Sequence, residues 1–280
     1  MRIPFTKMQG LGNDFMVIDM ISNPVLLTRE QVRQLADRHF GVGFDQLLLV
    51  EPPASPEVDF QYRIFNADGT EVEHCGNGAR CFAVFVHDKG LTGKNPVRVG
   101  TLNGELVLTL TGNNQVTVNM GVPRLRPADI PFHAPQQAPL YKRNIGTGNL
   151  KHEVEFAALS LGNPHAVLKV DDVAAAEVGE IGRELGSHPH FTEGVNVGFM
   201  QVVDRGRIRL RVYERGSGET LACGTGACAA VVAGCLEGLL DDTVRVTLNG
   251  GDLIVNWAGG DEPVMMSGPA STVFEGSIQV

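Results

Sequence analysis

Short apolar runs, separated by Gly, Asn or Pro, recur along the whole chain. Runs of this length between turn residues are typical of β-strands. A similar spacing of runs appears in both halves of the sequence, so we expect two strand-rich halves. The predicted strands span residues 45–50, 60–65, 97–99, 106–110, 116–120, 197–203, 208–213, 244–248 and 253–257.

Three segments carry helical patterns instead. Residues 28–38 begin with Thr28, a capping residue, followed by apolar side chains at helical spacing. Two further helices are expected at the sequence Cys-Gly-x-Gly-Ala, which occurs twice, and they run through 81–86 and 228–236. A helix that is apolar on nearly every side is buried. We therefore expect strands to wrap around each of these two helices.

An internal repeat underlies the similarity of the two halves. Three sequence markers recur in the same order at offsets of 147 to 150 residues. The longest pair contains five identities, where average residue usage would give about one. The marker pairs are 11–13 with 161–163, 65–79 with 213–227, and 97–99 with 244–246.

The repeat predicts two similar domains built by tandem duplication. A stretch rich in Pro and Ala begins near Pro123 and marks the boundary. We assign residues 1–120 to the first domain and 121–269 to the second, and we expect 270–280 to pack back on the first. The predicted fold class is α+β, with two pseudo-symmetric domains. Each is expected to be a strongly curved, mostly antiparallel sheet wrapped around a central buried helix.

Composition and charge exclude several classes of protein. The 280 residues are 43% hydrophobic and 20% charged, which suffices for a sizeable core. A net charge of -9 offers no basic surface to nucleic acid. The longest apolar run, 227–236, is too short for a membrane span, and the N-terminus lacks a secretory signal. We expect a cytoplasmic protein whose five cysteines are reduced.

Cys75 and Cys223 occupy equivalent positions, each where a Gly-rich turn gives way to a buried helix. The positive end of a helix favours thiolate over thiol and can lower a cysteine pKa. Two such domains facing across a cleft would present two thiols to opposite sides of one molecule, as a two-base racemase requires. The N–H groups that could hold a carboxylate belong to Gly76, Asn77, Gly224 and Thr225.

The other three cysteines, Cys81, Cys228 and Cys235, lie inside the predicted helices and are interpreted as small buried hydrophobes. A zinc or disulfide-exchange site is disfavoured, because no Cys-x2-Cys pair and no histidine cluster is present. We therefore expect no metal and no cofactor.

Several motifs together resemble those of diaminopimelate epimerase, and the resemblance covers essentially the whole chain. It implies pyridoxal-independent interconversion of LL- and meso-2,6-diaminoheptanedioate, in lysine and peptidoglycan precursor synthesis. One small departure is Thr225, where many members carry Ser. The motifs are Gly10-Leu-Gly-Asn-Asp-Phe15, Phe65-Asn-Ala-Asp-Gly69, Cys75-Gly-Asn-Gly-Ala-Arg80, Gly162-Asn-Pro-His165, Glu214-Arg215 and Cys223-Gly-Thr-Gly-Ala227.

The resemblance also implies roles for individual residues. The catalytic thiols fall on Cys75 and Cys223. Glu214 and Arg215 match the pair that reads amino and carboxylate groups, and Glu214 is also counted as catalytic. His165 is expected near the thiols as a helper that tunes thiolate charge. The implied substrate-binding residues are Asn13, Gln46, Asn66, Gly76, Asn77, Asn163, Asn196, Glu214, Arg215, Gly224 and Thr225.

Three alternatives remain open at this stage. A proline or hydroxyproline racemase would use the same thiol pair, but on a smaller substrate that needs fewer polar side chains for binding. A thiol redox or metal-binding protein would use the two cysteines as a switch. A pyridoxal enzyme is disfavoured, because none of the six lysines lies in an apolar stretch suited to a Schiff base. The expected partner is the small-molecule substrate, and a homodimer is compatible with the sequence.

Overall fold

The computed structural model describes residues 2–72, 75–102, 104–112, 114–146 and 152–280. Glu73 and His74, which belong to the longest repeat marker, lie outside the described residues. The chain divides into two compact units. Unit 1 comprises Met1–Asn119 and Ser267–Val280, and unit 2 comprises Met120–Met266.

Within the described residues, strands far outnumber helices. Each predicted strand is present, with bounds within two residues of the prediction. No helix in this part of the chain is long and apolar enough to cross a membrane. The strands are β1 (Arg2–Gly10), β2 (Asn13–Asp19), β3 (Gln46–Glu51), β4 (Phe60–Asn66), β5 (Glu71–Val72), β6 (Val97–Thr101), β7 (Gly104–Gly112), β8 (Gln115–Asn119), β9 (Tyr141–Ile145), β10 (His152–Ser160), β11 (Pro164–Lys169), β12 (Asn196–Asp204), β13 (Arg207–Glu214), β14 (Gly218–Thr220), β15 (Thr243–Leu248), β16 (Gly251–Asn256), β17 (Met265–Pro269) and β18 (Ser271–Gln279). The helices are α1 (Arg29–Ala36), α2 (Gly76–Asp88), α3 (Val178–Gly186) and α4 (Gly224–Leu236), with a short 3-10 turn at Pro127–Asp129.

The sheet of unit 1 is mixed but mostly antiparallel. β1 pairs with β2 and β18, β3 with β4, β4 with β5, and β6 with β7, all antiparallel. β7 also pairs antiparallel with β8. Parallel pairing occurs between β2 and β3 and between β4 and β6. The C-terminal strand β18 is therefore part of the sheet of unit 1.

Unit 2 repeats most of this pairing. β10 pairs with β9 and β11, β12 with β13, β13 with β14, and β15 with β16, all antiparallel. The parallel pairs are β11 with β12 and β13 with β15. β9 borders β10 as β18 borders β1, so the last strand of the chain fills in unit 1 the place that β9 fills in unit 2.

A buried helix lies at the centre of each unit. α2 contacts β1, β2, β3, β7, β8 and β18, and α4 contacts β10, β11, β12, β13, β15 and β16. Because each helix touches strands along the whole sheet, the sheet must curve around it. Every residue from Gly76 to Val86 is buried. The predicted α+β fold with a doubled domain is thus confirmed.

Two helices differ from the sequence prediction. α1 ends at Ala36 rather than at Arg38, although its start is as predicted: the Thr28 hydroxyl accepts a bond from the N–H of Gln31 in a capping box. α3 was not predicted at all. Three of its nine residues are glycines, which weaken a helical pattern. Gly182 is required there by packing, because a Cβ would lie 2.5 Å from the side chain of Tyr213.

Candidate functional site

Each central helix begins directly after a cysteine. Cys75 is the N-cap of α2 and Cys223 is the N-cap of α4, both in extended backbone conformation. The first turn of a helix leaves its N–H groups without intrahelical partners and forms the positive end of the helix dipole. Cys75 is half-buried, whereas Cys223 is buried. The repeat therefore places one thiol beside an anion-binding helix start in each unit.

The predicted site residues form equivalent pairs, one member in each unit. Strand register shows this directly: Phe15 on β2 lies opposite Gln46 on β3, and His165 on β11 lies opposite Asn196 on β12. His165 and Arg215 have no polar counterpart in unit 1. The equivalent pairs are Asn13 with Asn163, Gln46 with Asn196, Asn66 with Glu214, Cys75 with Cys223, Gly76 with Gly224, and Asn77 with Thr225.

In unit 1, amide side chains surround the thiol. Cys75 Sγ lies 3.5 Å from Asn13 Oδ1 and donates to it, and Asn77 Nδ2 donates to the same oxygen at 3.3 Å. At the ends of the adjacent strands, Gln46 Nε2 donates to Asn66 Oδ1 at 3.0 Å. The structure thus brings Asn13, Cys75 and Asn77 together in one cluster. Gln46 and Asn66 form a second cluster.

In unit 2, the thiol bonds a carboxylate rather than an amide. Cys223 Sγ donates to Glu214 Oε2 at 3.1 Å and lies 3.7 Å from Thr225 Oγ1. Asn163 Nδ2 donates to the same Thr225 oxygen at 3.3 Å, and its Oδ1 lies 3.0 Å from Nε2 of His165. All five side chains therefore belong to one hydrogen-bonded cluster.

The remaining two predicted residues hold the turn after β13. Asn196 Oδ1 accepts a bond of 2.8 Å from the backbone N–H of Arg215. The exposed Arg215 side chain donates from Nη1 to the carbonyl of Glu193 at 2.5 Å. The guanidinium has five N–H donors in all, so this bond leaves others that can face a carboxylate.

The pKa of the Cys223 thiol is raised well above its usual value. Burial is the main cause, followed by the negative charge and hydrogen bond of Glu214. Bonds from the Gly226 N–H and from Thr225 lower the pKa but do not outweigh these effects. The expectation that the helix start favours thiolate is therefore wrong for Cys223, because Glu214 and burial favour the protonated thiol.

His165 is a buried, neutral imidazole. Burial, together with the positive charge of Arg215, lowers its pKa from 6.5 to about 3. A neutral imidazole has one N–H donor, and the acceptor at Nε2 is the carbonyl oxygen of Asn163. The geometry makes His165 a support for Asn163. Its expected influence on thiolate charge stays a prediction.

Two side chains at the site were missed by the sequence analysis. The buried Tyr62 hydroxyl bonds the backbone of Cys75 at both its N–H (3.3 Å) and its carbonyl (3.2 Å). Thr220 Oγ1 donates to Glu214 Oε1 at 2.5 Å. Repeat alignment offers a signal for both, because the equivalent residues, Leu210 and Val72, are apolar.

Of the other cysteines, Cys81 and Cys228 are buried as predicted, whereas Cys235 is half-buried, so its interpretation as a buried hydrophobe is wrong. Burial still acts on two of these thiols. It raises the pKa of Cys81 to about 12 and that of Cys235 to about 11. Among the described residues, no three His, Cys, Asp or Glu side chains are grouped as metal ligands. Lys7 is buried, but it is paired with Asp14 at 2.6 Å, so its setting is ionic rather than apolar.

Comparison with known families agrees with this geometry. A family model described as diaminopimelate epimerase matches residues 5–126 and 157–273, and these ranges contain both thiols. This chain belongs to the diaminopimelate epimerase family. Membership supports isomerase chemistry of the epimerase and racemase type.

Solved structures share the fold of this epimerase-family chain at low sequence identity. A phenazine biosynthesis protein of the PhzF family from Bacillus anthracis has a TM-score of 0.70 and 16% identity, with 100% of both chains covered. A hydroxyproline epimerase from Agrobacterium vitis, bound to trans-4-hydroxy-L-proline, has a TM-score of 0.69 and 15% identity, covering 99% of this chain and 92% of that one. A probable proline racemase from Agrobacterium radiobacter reaches 0.66 and 16%, with the same coverage.

Proposed function

We propose that this chain interconverts LL- and meso-2,6-diaminoheptanedioate without a cofactor, using Cys75 and Cys223 as a pair of acid and base. The observation that carries the proposal is the duplicated helix start, at which a thiol caps a buried helix in each unit. Such a reaction would serve lysine and peptidoglycan precursor synthesis.

The chemistry explains why two thiols are needed. The proton on a carbon next to a carboxylate is weakly acidic, so its removal requires that the developing negative charge be stabilised. Backbone N–H groups at a helix start supply fixed donors for that charge. We propose that one sulfur, as thiolate, removes the proton, while the other, as thiol, delivers a proton to the opposite face. Configuration inverts, and the two sulfurs exchange protonation states.

Glu214 provides a route to the thiolate in unit 2. Its Oε2 accepts the hydrogen bond of the Cys223 thiol, so a proton can pass from sulfur to carboxylate without further movement of either group. The protonated Glu214 would then no longer oppose the thiolate charge. In the reverse direction the same carboxyl group returns the proton. Glu214 is therefore proposed as the general base for Cys223.

The polar groups near the thiols suit a substrate with two ammonium and two carboxylate groups. Neutral amides can both donate and accept, and Glu214 with Arg215 supplies one charge of each sign. A proline-type substrate has one carboxylate and one ring nitrogen and needs fewer partners. This difference favours diaminoheptanedioate over the small imino acids bound by proteins of similar fold.

Product analysis with purified protein tests the proposal. LL-2,6-diaminoheptanedioate, with no cofactor added and a reductant present, should yield the meso isomer on a chiral column. L-proline and trans-4-hydroxy-L-proline serve as competing substrates under the same conditions. Turnover of either imino acid without turnover of diaminoheptanedioate would contradict the substrate, and absence of any isomerisation would contradict the function.

A further inference from the structure

A line of hydrogen bonds in unit 1 runs from a buried guanidinium to a carboxylate. Arg80 Nη2 donates to Asn77 Oδ1 at 2.9 Å. Asn77 Nδ2 donates to Asn13 Oδ1 at 3.3 Å, and Asn13 Nδ2 donates to Asp45 Oδ2 at 3.1 Å. Every donor in this line points towards Asp45.

The two ends of the line fix the direction of both amides. A guanidinium can only donate, so it requires an oxygen from Asn77, and an ionised carboxylate can only accept, so it requires the amino group of Asn13. If the Asn13 amide were reversed, its oxygen would face the Asp45 carboxylate and its amino group would face that of Asn77. Both contacts would be repulsive.

Asp45 is itself held in place. Arg38 Nη2 donates to Asp45 Oδ1 and to Asp14 Oδ1, each at 2.8 Å, and the backbone N–H of Asp45 donates to Asp14 Oδ1 at 2.9 Å. Lys7 pairs with the other Asp14 oxygen at 2.6 Å. Although burial raises the pKa of Asp14, the bonds from Arg38 and Lys7 outweigh it and lower the pKa to about 2. Asp45 is therefore held in place by Asp14, a carboxylate that stays ionised.

The fixed orientation has a consequence for the catalytic thiol. The Asn13 oxygen faces Cys75 Sγ, which donates to it at 3.5 Å. A hydrogen bond donated by the thiol stabilises the protonated form, and a carbonyl oxygen repels a thiolate. We propose that Asp45 is a positioning residue that orients the Asn13 amide so that Cys75 rests as the thiol. Its importance for catalysis rests on the proposed function, in which this thiol would be the proton donor of the resting protein.

Two other ionisable side chains described near Cys75 do not obscure the titration of its thiol. Tyr62, on β4, bonds the Cys75 backbone, and burial followed by the charge of Cys75 raises the Tyr62 pKa well above 10. Within α2, burial raises the pKa of Cys81 to about 12. Because iodoacetamide reacts with the thiolate, the pH profile of alkylation at this position reports on the Cys75 thiol itself.

The test is the pH dependence of alkylation at Cys75 in the full chain without substrate. Iodoacetamide modification is followed for each cysteine by peptide mass mapping, and Cys235 serves as an internal control in unit 2. Asp45→Asn removes the carboxylate end of the line, so only the bond from Asn77 still holds the Asn13 oxygen towards sulfur, and the reversed amide becomes populated. We expect the Cys75 midpoint to fall by about one pH unit, with an unchanged Cys235 profile.

Removal of the Asp45 charge could by itself shift the midpoint, and two controls separate this effect. Asp14→Asn removes a charge from the same cluster but keeps an oxygen for Arg38 and for the Asp45 N–H, so the Asp45 carboxylate stays in place and the midpoint should move much less. High salt screens charge effects, so the shift in Asp45→Asn should persist at about 1 M KCl. Asp45→Ser, which also removes the carboxylate end of the line, repeats the test if Asp45→Asn does not fold.

An unchanged Cys75 midpoint in a folded Asp45 variant would overturn the orienting role. So would an equal shift in Asp14→Asn, or a shift that disappears in high salt. None of these results depends on turnover, because the midpoint is read without substrate. Absence of epimerisation by the unmodified protein would instead overturn the proposed function and leave the alkylation result standing.

Discussion

Thr220 determines which oxygen of Glu214 is available to the thiol. Its hydroxyl donates to Oε1 at 2.5 Å, while Oε2 accepts the bond from Cys223 at 3.1 Å. Without the hydroxyl, the carboxyl group could rotate away from sulfur. Thr220 therefore positions Glu214 for the proton transfer that we propose, although it does not itself contact the thiol.

Replacing Thr220 by Val should lower kcat by about ten- to a hundredfold, because a hydrogen bond to a carboxylate contributes roughly 1.5 to 3 kcal/mol. Thr220→Ser keeps the hydroxyl and should stay within a few-fold of the unmodified protein. Both rates are measured by chiral analysis of the product. Equal losses in the two variants, or full activity of Thr220→Val, would contradict the positioning role.

His165 should make folding stability depend on pH. Its folded pKa of about 3 lies below the ordinary 6.5. The unfolded chain therefore binds a proton that the folded chain does not, and stability falls as pH drops from about 6.5 towards 3. We expect the free energy of unfolding in urea to fall by up to about 1.4 kcal/mol more per pH unit than in His165→Gln, which cannot titrate. Parallel pH profiles of the two proteins would refute this.

Single elements show where sequence reasoning succeeds and where it fails. Nine of the strands described were predictable because their apolar runs end at turn residues, and α2 and α4 were predictable because they are apolar on nearly every side. α3 was not, since its glycines conceal the pattern of Val178, Ile181 and Leu185. Nor does a sequence indicate that Gly182 lies against the ring of Tyr213, a contact that depends on tertiary packing.

Two glycines of α3 provide a matched test of this packing. A Cβ at Gly182 would lie 2.5 Å from Tyr213, whereas a Cβ at Gly179 would meet no atom within 4 Å. Gly182→Ala should lower the free energy of unfolding by about 1 to 3 kcal/mol through overpacking. Gly179→Ala should raise it by up to about 1 kcal/mol through helix propensity. Chemical denaturation measures both, and equal signs would contradict the interpretation.

On the scale of the whole molecule, the duplication made the doubled fold and the two thiols predictable from the sequence. Because the repeat aligns Cys75 with Cys223, the two thiols stand out without any structure. The environments of the thiols were less predictable. The raised pKa of Cys223 follows from burial and from Glu214, and both depend on how the strands pair in the folded protein. Thr220 and Tyr62 escaped notice for the same reason.

The C-terminal strand β18 completes the sheet of unit 1. It pairs with β1 from Arg2 opposite Gln279 to Gln9 opposite Ser271, and the ring of Phe274 packs edge-on against that of Phe5 at 6.0 Å. Removal of residues 271–280 should expose the edge of β1. We expect faster amide hydrogen exchange in β1, with unchanged exchange in β9 and β10. Retained protection of β1 in the truncated protein would contradict this account.

Deuterium incorporation tests the two-thiol mechanism most directly. The thiol that donates carries a proton from solvent, whereas the thiolate that abstracts holds the proton taken from substrate. With LL-2,6-diaminoheptanedioate in deuterated water, early meso product should therefore carry deuterium at the inverted α-carbon, while recovered substrate stays largely unlabelled. Replacement of Cys75 or Cys223 by Ala should stop inversion. Labelling of substrate as fast as product by the intact protein, or substantial epimerisation by either Ala variant, would contradict the mechanism.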